Sequence, residues 1–164
     1  MEYTFEKLNK DNFNKYFDYL LLATKLEAEL MCLSDINKEK LYERLDDELT
    51  KRSTSILAMF EDKVIGRIEY HFYSCFQDGY RKCYVDWLYV LPENRNKGIA
   101  KNLFNQMIRD CVKHNIDEIR LMRATNENAN EFYESFKGVK MLEVPFLYII
   151  YITLQSKVLG FIFV

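Results

Sequence analysis

Glycine and proline are scarce in this chain: 5 Gly and 2 Pro in 164 residues. That excludes a linker-rich, low-complexity or collagen-like polypeptide, each of which needs far more of both. With so few turn-formers, each marks a place where the backbone has a special requirement. Charge of one sign is lacking too: 23 Lys and Arg stand against 25 Asp and Glu, for a formal charge of -2. A nucleic-acid binder would show a basic excess, so none is expected as a partner. The four cysteines, Cys32, Cys75, Cys83 and Cys111, form no C-x-x-C pair and have no histidine at zinc spacing. They read as reduced thiols of a cytoplasmic protein, with no metal. Residues 1–10 are charged and lack the apolar run of a signal peptide. The most apolar stretch, 144–164, is broken by Pro145, Gln155, Ser156 and Lys157. A spanning helix needs about 20 mostly apolar residues, so this stretch reads as strand and no membrane partner is expected.

What the chain does have is apolar material: 49% hydrophobic and 15% aromatic residues, enough for one domain with a real core. The pattern predicts a strand over 2–8 and a helix over 11–29 with Phe13, Phe17, Leu20, Leu21 and Ala28 on one face. Ser34 or Asp35 can cap a second helix over 38–51, in which Leu41, Leu45 and Leu49 are four apart. Strands over 55–60 and 64–73 flank the charged turn Glu61-Asp62-Lys63 as a hairpin. Gly66 inside the second arm signals a bulge or a close backbone approach. A strand over 82–91 is stopped by Pro92. The clearest helix covers 96–114, burying Ile99, Ala100, Leu103, Phe104, Met107, Ile108, Cys111 and Val112. A strand over 118–123, a short helix over 128–136 and one or two strands over 139–154 complete the order. Adjacent antiparallel strands followed by β-α-β units imply a mixed α/β sheet with helices on both faces.

One segment carries chemistry: Asp86-Trp87-Leu88-Tyr89-Val90-Leu91-Pro92-Glu93-Asn94-Arg95-Asn96-Lys97-Gly98-Ile99-Ala100. A strand ends at a proline, a short polar loop follows, and a strongly amphipathic helix begins. Such a helix start is an anion site, because its first N–H groups are unpaired and carry the positive end of the macrodipole. Gly98 lets a phosphate approach the backbone, and Arg95, Lys97 and Lys101 bring charge. No Gly-x-x-x-x-Gly-Lys-Ser/Thr and no Gly-x-Gly-x-x-Gly is present, which argues against a P-loop and a dinucleotide fold.

Val90-x-Pro92-Glu93-x-Arg95-x-Lys97-Gly98-Ile99-Ala100 resembles the acetyl-CoA loop of the GNAT N-acetyltransferase superfamily, Arg/Gln-x-x-Gly-x-Gly/Ala after a strand. Asn126-x-x-Ala129-x-x-Phe132-Tyr133 resembles the second signature of that family. The resemblance covers 54–152. It implies a GNAT-like, mostly antiparallel mixed sheet with helices on both faces and splayed central strands. It also implies one acyl-CoA N-acyltransferase domain over 1–164: a variable acceptor-side part over 1–53, a cofactor-binding core over 54–152, and a tail over 153–164 with no assigned role. Acetyl-CoA is the implied co-substrate. Backbone amides of Arg95, Asn96, Lys97, Gly98, Ile99, Ala100 and Lys101 would hold its pyrophosphate. Main-chain groups of Leu88, Tyr89 and Val90 would take the pantetheine arm like an added strand. Asn126, Ala129, Phe132 and Tyr133 complete the implied cofactor site.

By the same resemblance Tyr133 protonates the departing thiolate, a task suited to a phenol that is neutral at pH 7. An amine arrives as ammonium and needs a base. Asp86 is the first candidate, since strand alternation puts it on the face of Leu88 and Val90; Glu69 on the preceding strand is the second. His71 alternates with Glu69 and could line the pocket. Tyr133 is followed by Lys137 where the family places glycine, and Gly138 comes one residue late, as a left-handed helix cap. The acceptor-side helices carry Glu27, Glu29, Asp35, Asp46, Asp47 and Glu48, and the middle strands carry aromatics, a wall that suits a cationic amine. The expected partner is a small-molecule or peptide primary amine, with a homodimer as a family-level expectation. Two alternatives stand beside the enzyme: a non-catalytic acyl-CoA-binding or regulatory member of the fold, and an interaction module independent of CoA.

Overall fold

The structure is a computed structural model that describes residues 2–31, 36–122, 127–136, 139–144 and 147–153, the last two as strand backbone. The elements run β1 (Thr4–Lys7), α1 (Phe13–Leu26), α2 (Ala28–Met31), α3 (Lys38–Arg44), β2 (Ser53–Phe60), β3 (Lys63–Ser74), β4 (Arg81–Val90), α4 (Ile99–Lys113), β5 (Glu118–Met122), α5 (Glu127–Glu134), β6 (Val139–Val144) and β7 (Leu147–Thr153). Short 3-10 turns occupy Thr50–Arg52 and Pro92–Asn94. Seven strands form one sheet in the order β1-β2-β3-β4-β5-β7-β6. β1 and β2, β5 and β7, and β6 and β7 pair antiparallel, while β4 and β5 pair parallel over Lys82–Val85 and Glu118–Leu121. The splay expected beyond Val85 falls opposite residues 123–126, outside the described residues.

The chain divides into two compact units, 1–70 with 87–107 and 71–86 with 108–164. The division cuts through β3, β4 and α4 rather than through linkers. In the first unit, Phe13, Tyr16, Phe17, Tyr19, Leu20 and Ala23 of α1 form a core with Met31, Leu57, Met59, Val64, Tyr89 and Leu91. Arg67 of β3 reaches Tyr16 of α1. A Cβ placed on the neighbouring Gly66 would instead meet Val90 Cγ2 at 3.0 Å, the Tyr89 carbonyl at 3.3 Å and Ile99 of α4 at 3.5 Å. Successive strand residues point to opposite faces, so α1 and α4 cover opposite faces of this part of the sheet. Gly66 is the predicted close backbone approach. In the second unit, Cys83, Val85, Cys111, Ile116, Ile119, Leu121 and Tyr133 are buried.

Local physics explains where elements depart from the sequence pattern. Glu61 and Asp62 both have positive φ, 45° and 64°, and close a two-residue hairpin of the twist that β-strands favour. α4 starts at Ile99 rather than at 96, because Asn96 and Gly98 take φ values of 60° and 77° that a right-handed helix cannot contain. Its Val112 is exposed, outside the predicted buried face. On α1, Leu21 is exposed and Tyr16, Tyr19 and Ala23 are buried in its place. The helix predicted over 38–51 ends at Arg44. Asp47 Oδ1 accepts the Leu49 amide at 2.8 Å, a local bond that competes with helix, and Leu49 is left exposed. Asn37 caps α3, its side chain accepting from the Lys40 amide at 2.7 Å; the predicted caps Ser34 and Asp35 lie outside the described residues. Gly138 and the tail over 154–164 lie outside them as well. Among the described residues, no helix is long and apolar enough to cross a membrane.

Candidate active site

The loop between β4 and α4 is built from backbone necessities. Pro92 opens a 3-10 turn in which the Asn94 amide bonds the Leu91 carbonyl at 2.8 Å and the Arg95 amide bonds that of Pro92 at 3.2 Å. The left-handed residues Asn96 and Gly98 then turn the chain into α4, and the space beside the Gly98 α-carbon is open, with no atom within 4 Å of a Cβ placed there. The first helical bond runs from the Asn102 amide to the Gly98 carbonyl at 3.0 Å. The amides of Gly98, Ile99, Ala100 and Lys101 therefore precede the helical ladder and have no acceptor in it. Ile99 is buried and anchors the turn, Ala100 is half-buried, and Lys101 is exposed. Lys97 is held back on the loop, its Nζ donating to the Glu93 carbonyl at 2.8 Å.

Arg95 is used differently from its expected place around the mouth. Its Nε donates to the Val90 carbonyl at 3.0 Å, and its two terminal nitrogens grip the Glu27 carboxylate, Nη1 to Oε1 at 3.0 Å and Nη2 to Oε2. The guanidinium carbon also lies 5.3 Å from the centre of the Tyr89 ring. The Tyr89 hydroxyl donates to Glu27 Oε2 at 2.7 Å, and the Tyr19 hydroxyl donates to the Tyr89 carbonyl at 3.0 Å. The Arg95 pair holds the Glu27 carboxyl below its ordinary pKa, while burial, helped by Glu27, pushes the Tyr89 phenol up. The end of α1 is thus tied to the loop by a planar, charge-assisted fork. Glu27 was expected only as part of an acidic wall. No sequence signal pairs it with a residue 68 positions away, because the pairing exists only once α1 lies on β4.

The acidic wall is taken up in ion pairs. Glu27 pairs with Arg95, Asp46 with Lys10, Asp47 with Arg44 and Glu48 with Lys51; Asp35 lies outside the described residues. The α1 side of β3 and β4 holds a cation instead. Arg67 is buried, and its Nη1 contacts the Tyr16 hydroxyl and, at 2.9 Å, Glu69 Oε2. It also lies within 6.0 Å of the Trp87 ring centre. Arg67 Nε and Trp87 Nε1 are buried donors with no hydrogen-bond acceptor among the described residues. The second base candidate, Glu69, is therefore tied to Arg67, with its side chain about a third exposed.

Asp86 sits where alternation does not put it. The free thiol of Cys83 is in hydrogen-bond contact with that of Cys111 on α4, so it faces α4. Seven residues later Val90 faces Gly66 and Ile99, also the α4 side, although an odd separation in a regular strand reverses the face. Tyr84 and Asp86 meet His71, whereas Trp87 and Tyr89 meet Arg67 and the α1 residues. On β3, His71 and Arg67 have the same parity. The alternation of β4 slips between Asp86 and Trp87, the signature of a β-bulge, which re-aims a side chain. Asp86 consequently points away from the face of Val90, the reverse of the sequence expectation. Its Oδ2 lies 2.9 Å from His71 Nδ1.

Tyr133, on α5, is buried, and burial pushes its phenol up to about 12. Phe132 meets its ring edge-on at 5.2 Å, and Phe136 meets Phe132 in turn. Ala129 is half-buried on the same helix, and Leu88 is half-buried on β4. Asn126 lies outside the described residues. Among the described residues no group of three or more His, Cys, Asp and Glu side chains is placed to hold a metal.

Comparison with solved structures places this fold. PaiA N-acetyltransferase from Thermoplasma acidophilum, in complex with coenzyme A, is similar with a TM-score of 0.72 at 19% identity, over 94% of this chain and all of that one (100%). An aminoglycoside acetyltransferase from an uncultured soil metagenomic sample, in complex with sisomicin, is similar with a TM-score of 0.71 at 19% identity, over 87% of this chain and 91% of that one. A ribosomal-protein-alanine N-acetyltransferase from Brucella melitensis biovar Abortus 2308 gives 0.68 at 16% identity, over 87% and 96%. No curated protein matches the sequence. Residues 19–138 match the Acetyltransferase (GNAT) family, a span that holds the loop, the bulged strand and the Tyr133 helix together. The chain belongs to that acetyltransferase family.

Proposed function

We propose that this protein, acting as one domain, transfers the acetyl group of acetyl-CoA to a primary amine by direct attack of the amine. The observation that carries the reading is the β4–α4 loop. Two left-handed residues, open space at Gly98 and a first helical turn of unpaired amides make a cradle for a pyrophosphate. When bound, acetyl-CoA supplies the activated thioester. The amides from Asn96 to Lys101 hold its phosphates, and Leu88 to Val90 with Asn126, Ala129 and Phe132 receive the arm. Arg95 contributes by fixing the loop through Glu27 and Val90 rather than by touching phosphate. The ammonium loses its proton on the face of β3 and β4 that carries Glu69 and Asp86.

Tyr133 supplies a hydrogen bond to the leaving sulfur. A phenol near 12 facing a thiol of ordinary pKa near 8.5 makes complete transfer uphill by roughly 5 kcal/mol. Tyr133 therefore hydrogen-bonds the leaving sulfur without giving up its proton, and the thiolate takes a proton from solvent. The acceptor is a small-molecule or peptide amine. Similarity to a protein solved with sisomicin and to a ribosomal-protein-alanine acetyltransferase supports that breadth. The free thiols Cys75, Cys83 and Cys111 fit the reducing cytoplasm.

The test is titration calorimetry with acetyl-CoA, then free-thiol release over a panel of polyamines, aminoglycosides and peptides. Tyr133→Phe lowers kcat by about 10-fold to 100-fold with acetyl-CoA affinity unchanged. Binding without turnover of any amine favours the non-catalytic reading, and no binding refutes both.

A further inference from the structure

The slip in β4 turns Asp86 toward a histidine, and the arrangement around that histidine is more specific than an ion pair. His71 Nδ1 lies 2.9 Å from Asp86 Oδ2. The imidazole is flanked by the Tyr84 ring on β4 at 5.5 Å and the Tyr73 ring on β3 at 5.9 Å. Glu69 and Arg67, paired with each other, are the nearest charged groups on that side of β3. These contacts fix the ring plane. A carboxylate at Nδ1 also selects the tautomer, because it can only accept: the neutral ring carries its hydrogen on Nδ1 and its lone pair on Nε2. Nε2 has no partner among the described residues, and the side chain is one-third exposed, so the lone pair is reachable.

We infer that His71 is the proton acceptor for the incoming amine and that Asp86 is its positioning residue rather than the base itself. The inference rests on the acetyltransferase reading above. It joins the bulge at Asp86–Trp87 to the contact at His71. An oriented imidazole with an open Nε2 needs a carboxylate turned to that face. The bulge supplies it.

The proton balance is complete. Nε2 takes one proton from R-NH3+, and the resulting imidazolium is stabilised by Asp86 and passes the proton to solvent. The amine nitrogen forms its bond to the thioester carbonyl carbon, and the C–S bond breaks with its electron pair on sulfur. The nitrogen's second proton balances the one that the thiolate gains. Products are the amide, CoA thiol and one proton.

The first test needs no acceptor. The chain has only 2 histidines, so long-range proton–nitrogen NMR of the full protein resolves both, with His71→Gln assigning one. The expected signal for His71 is the Nδ1–H tautomer, lost or mixed in Asp86→Asn. A His71 ring in the Nε2–H form, or a spectrum unmoved by Asp86→Asn, overturns the proposal. The second test uses whichever panel amine shows thiol release. His71→Gln lowers kcat/KM by about 100-fold or more, with acetyl-CoA affinity unchanged. Added imidazole partly rescues His71→Ala. Near-normal turnover in His71→Gln overturns the assignment while leaving the acetyltransferase reading intact. Loss of acetyl-CoA binding in the wild type fails that reading and leaves the tautomer result to stand or fall alone.

Discussion

The link between Glu27 and Arg95 is the contact with the clearest energetic consequence. It is a bidentate carboxylate–guanidinium pair with side chains 25% and 39% exposed, so it lies between a buried and a surface ion pair. Charge-assisted bonds contribute about 1.5–3 kcal/mol each when desolvated, and exposed pairs about 0.2–1 kcal/mol. A coupling energy of about 1–2 kcal/mol is therefore expected from a double-mutant cycle of Glu27→Gln and Arg95→Met. Arg95→Met alone also removes the Val90 carbonyl bond and the contact with the Tyr89 ring, for a total loss of roughly 3 kcal/mol. For a chain of this length that lowers Tm by roughly 6–12 °C, and Glu27→Gln lowers it by roughly 3–6 °C. Denaturant unfolding followed by far-UV circular dichroism, with Trp87 fluorescence as a second probe, measures both.

The pH dependence supplies an independent check. Arg95 depresses the folded pKa of Glu27, so the stabilisation is complete above the unfolded carboxylate value, about 4.3. It is lost as pH falls through the lower folded value. The gap between wild type and Glu27→Gln should be constant from neutral pH down to about 4.3 and close as pH falls from there through the lower folded value. Single-variant effects that add within about 0.3 kcal/mol at pH 7 would refute the clamp, as would a gap that persists in strong acid.

Further expectations concern backbone and burial. Gly98→Ala faces open space but a left-handed φ, and costs about 1–2 kcal/mol; Gly79→Ala, with φ of 73° and equally open space, costs the same. Only the Gly98 variant should raise the acetyl-CoA Kd in calorimetry, and equal affinities would unseat the loop as the phosphate site. Gly66→Ala puts a methyl 3.0 Å from Val90 Cγ2 and 3.3 Å from a backbone oxygen, which costs about 1–3 kcal/mol of unfolding free energy; an unchanged Tm argues against the close approach. Lys82 is buried, with its Nζ on Asp78 and 3.6 Å from Glu118. Lys82→Met leaves Glu118 paired with Arg120 and Asp78 exposed, and should cost about 1–2 kcal/mol in denaturant unfolding, where a neutral result would mean the ammonium is solvated.

Much of the fold is legible along the chain because it is local. The two-residue turn at Glu61 and Asp62, the 3.6-residue apolar repeat of α4 and the proline that stops β4 each depend on neighbours in sequence. The loop signature is legible for the same reason, since a helix start with Gly98 makes an anion site wherever it is placed. The faces of α1 were half-legible: Phe13, Phe17 and Leu20 lie inward, but Tyr16 and Tyr19 were hidden as core residues. Their hydroxyls find Arg67 and the Tyr89 carbonyl only after folding.

The sequence by itself determined the family, the cofactor loop and the order of strands and helices, all set by short-range pattern. Tertiary structure decided what each charge does. Arg95, placed by its motif on a phosphate loop, turns back to Glu27. Asp46 of the expected acidic wall finds Lys10, 36 positions away, while Asp47 and Glu48 pair locally with Arg44 and Lys51. Asp86, assigned a face by period-two alternation, crosses to the other because one bulge adds a residue to β4, and there it meets His71. Partners separated by 15 to 68 positions leave no periodic trace, since each contact is fixed by how strands register and helices dock.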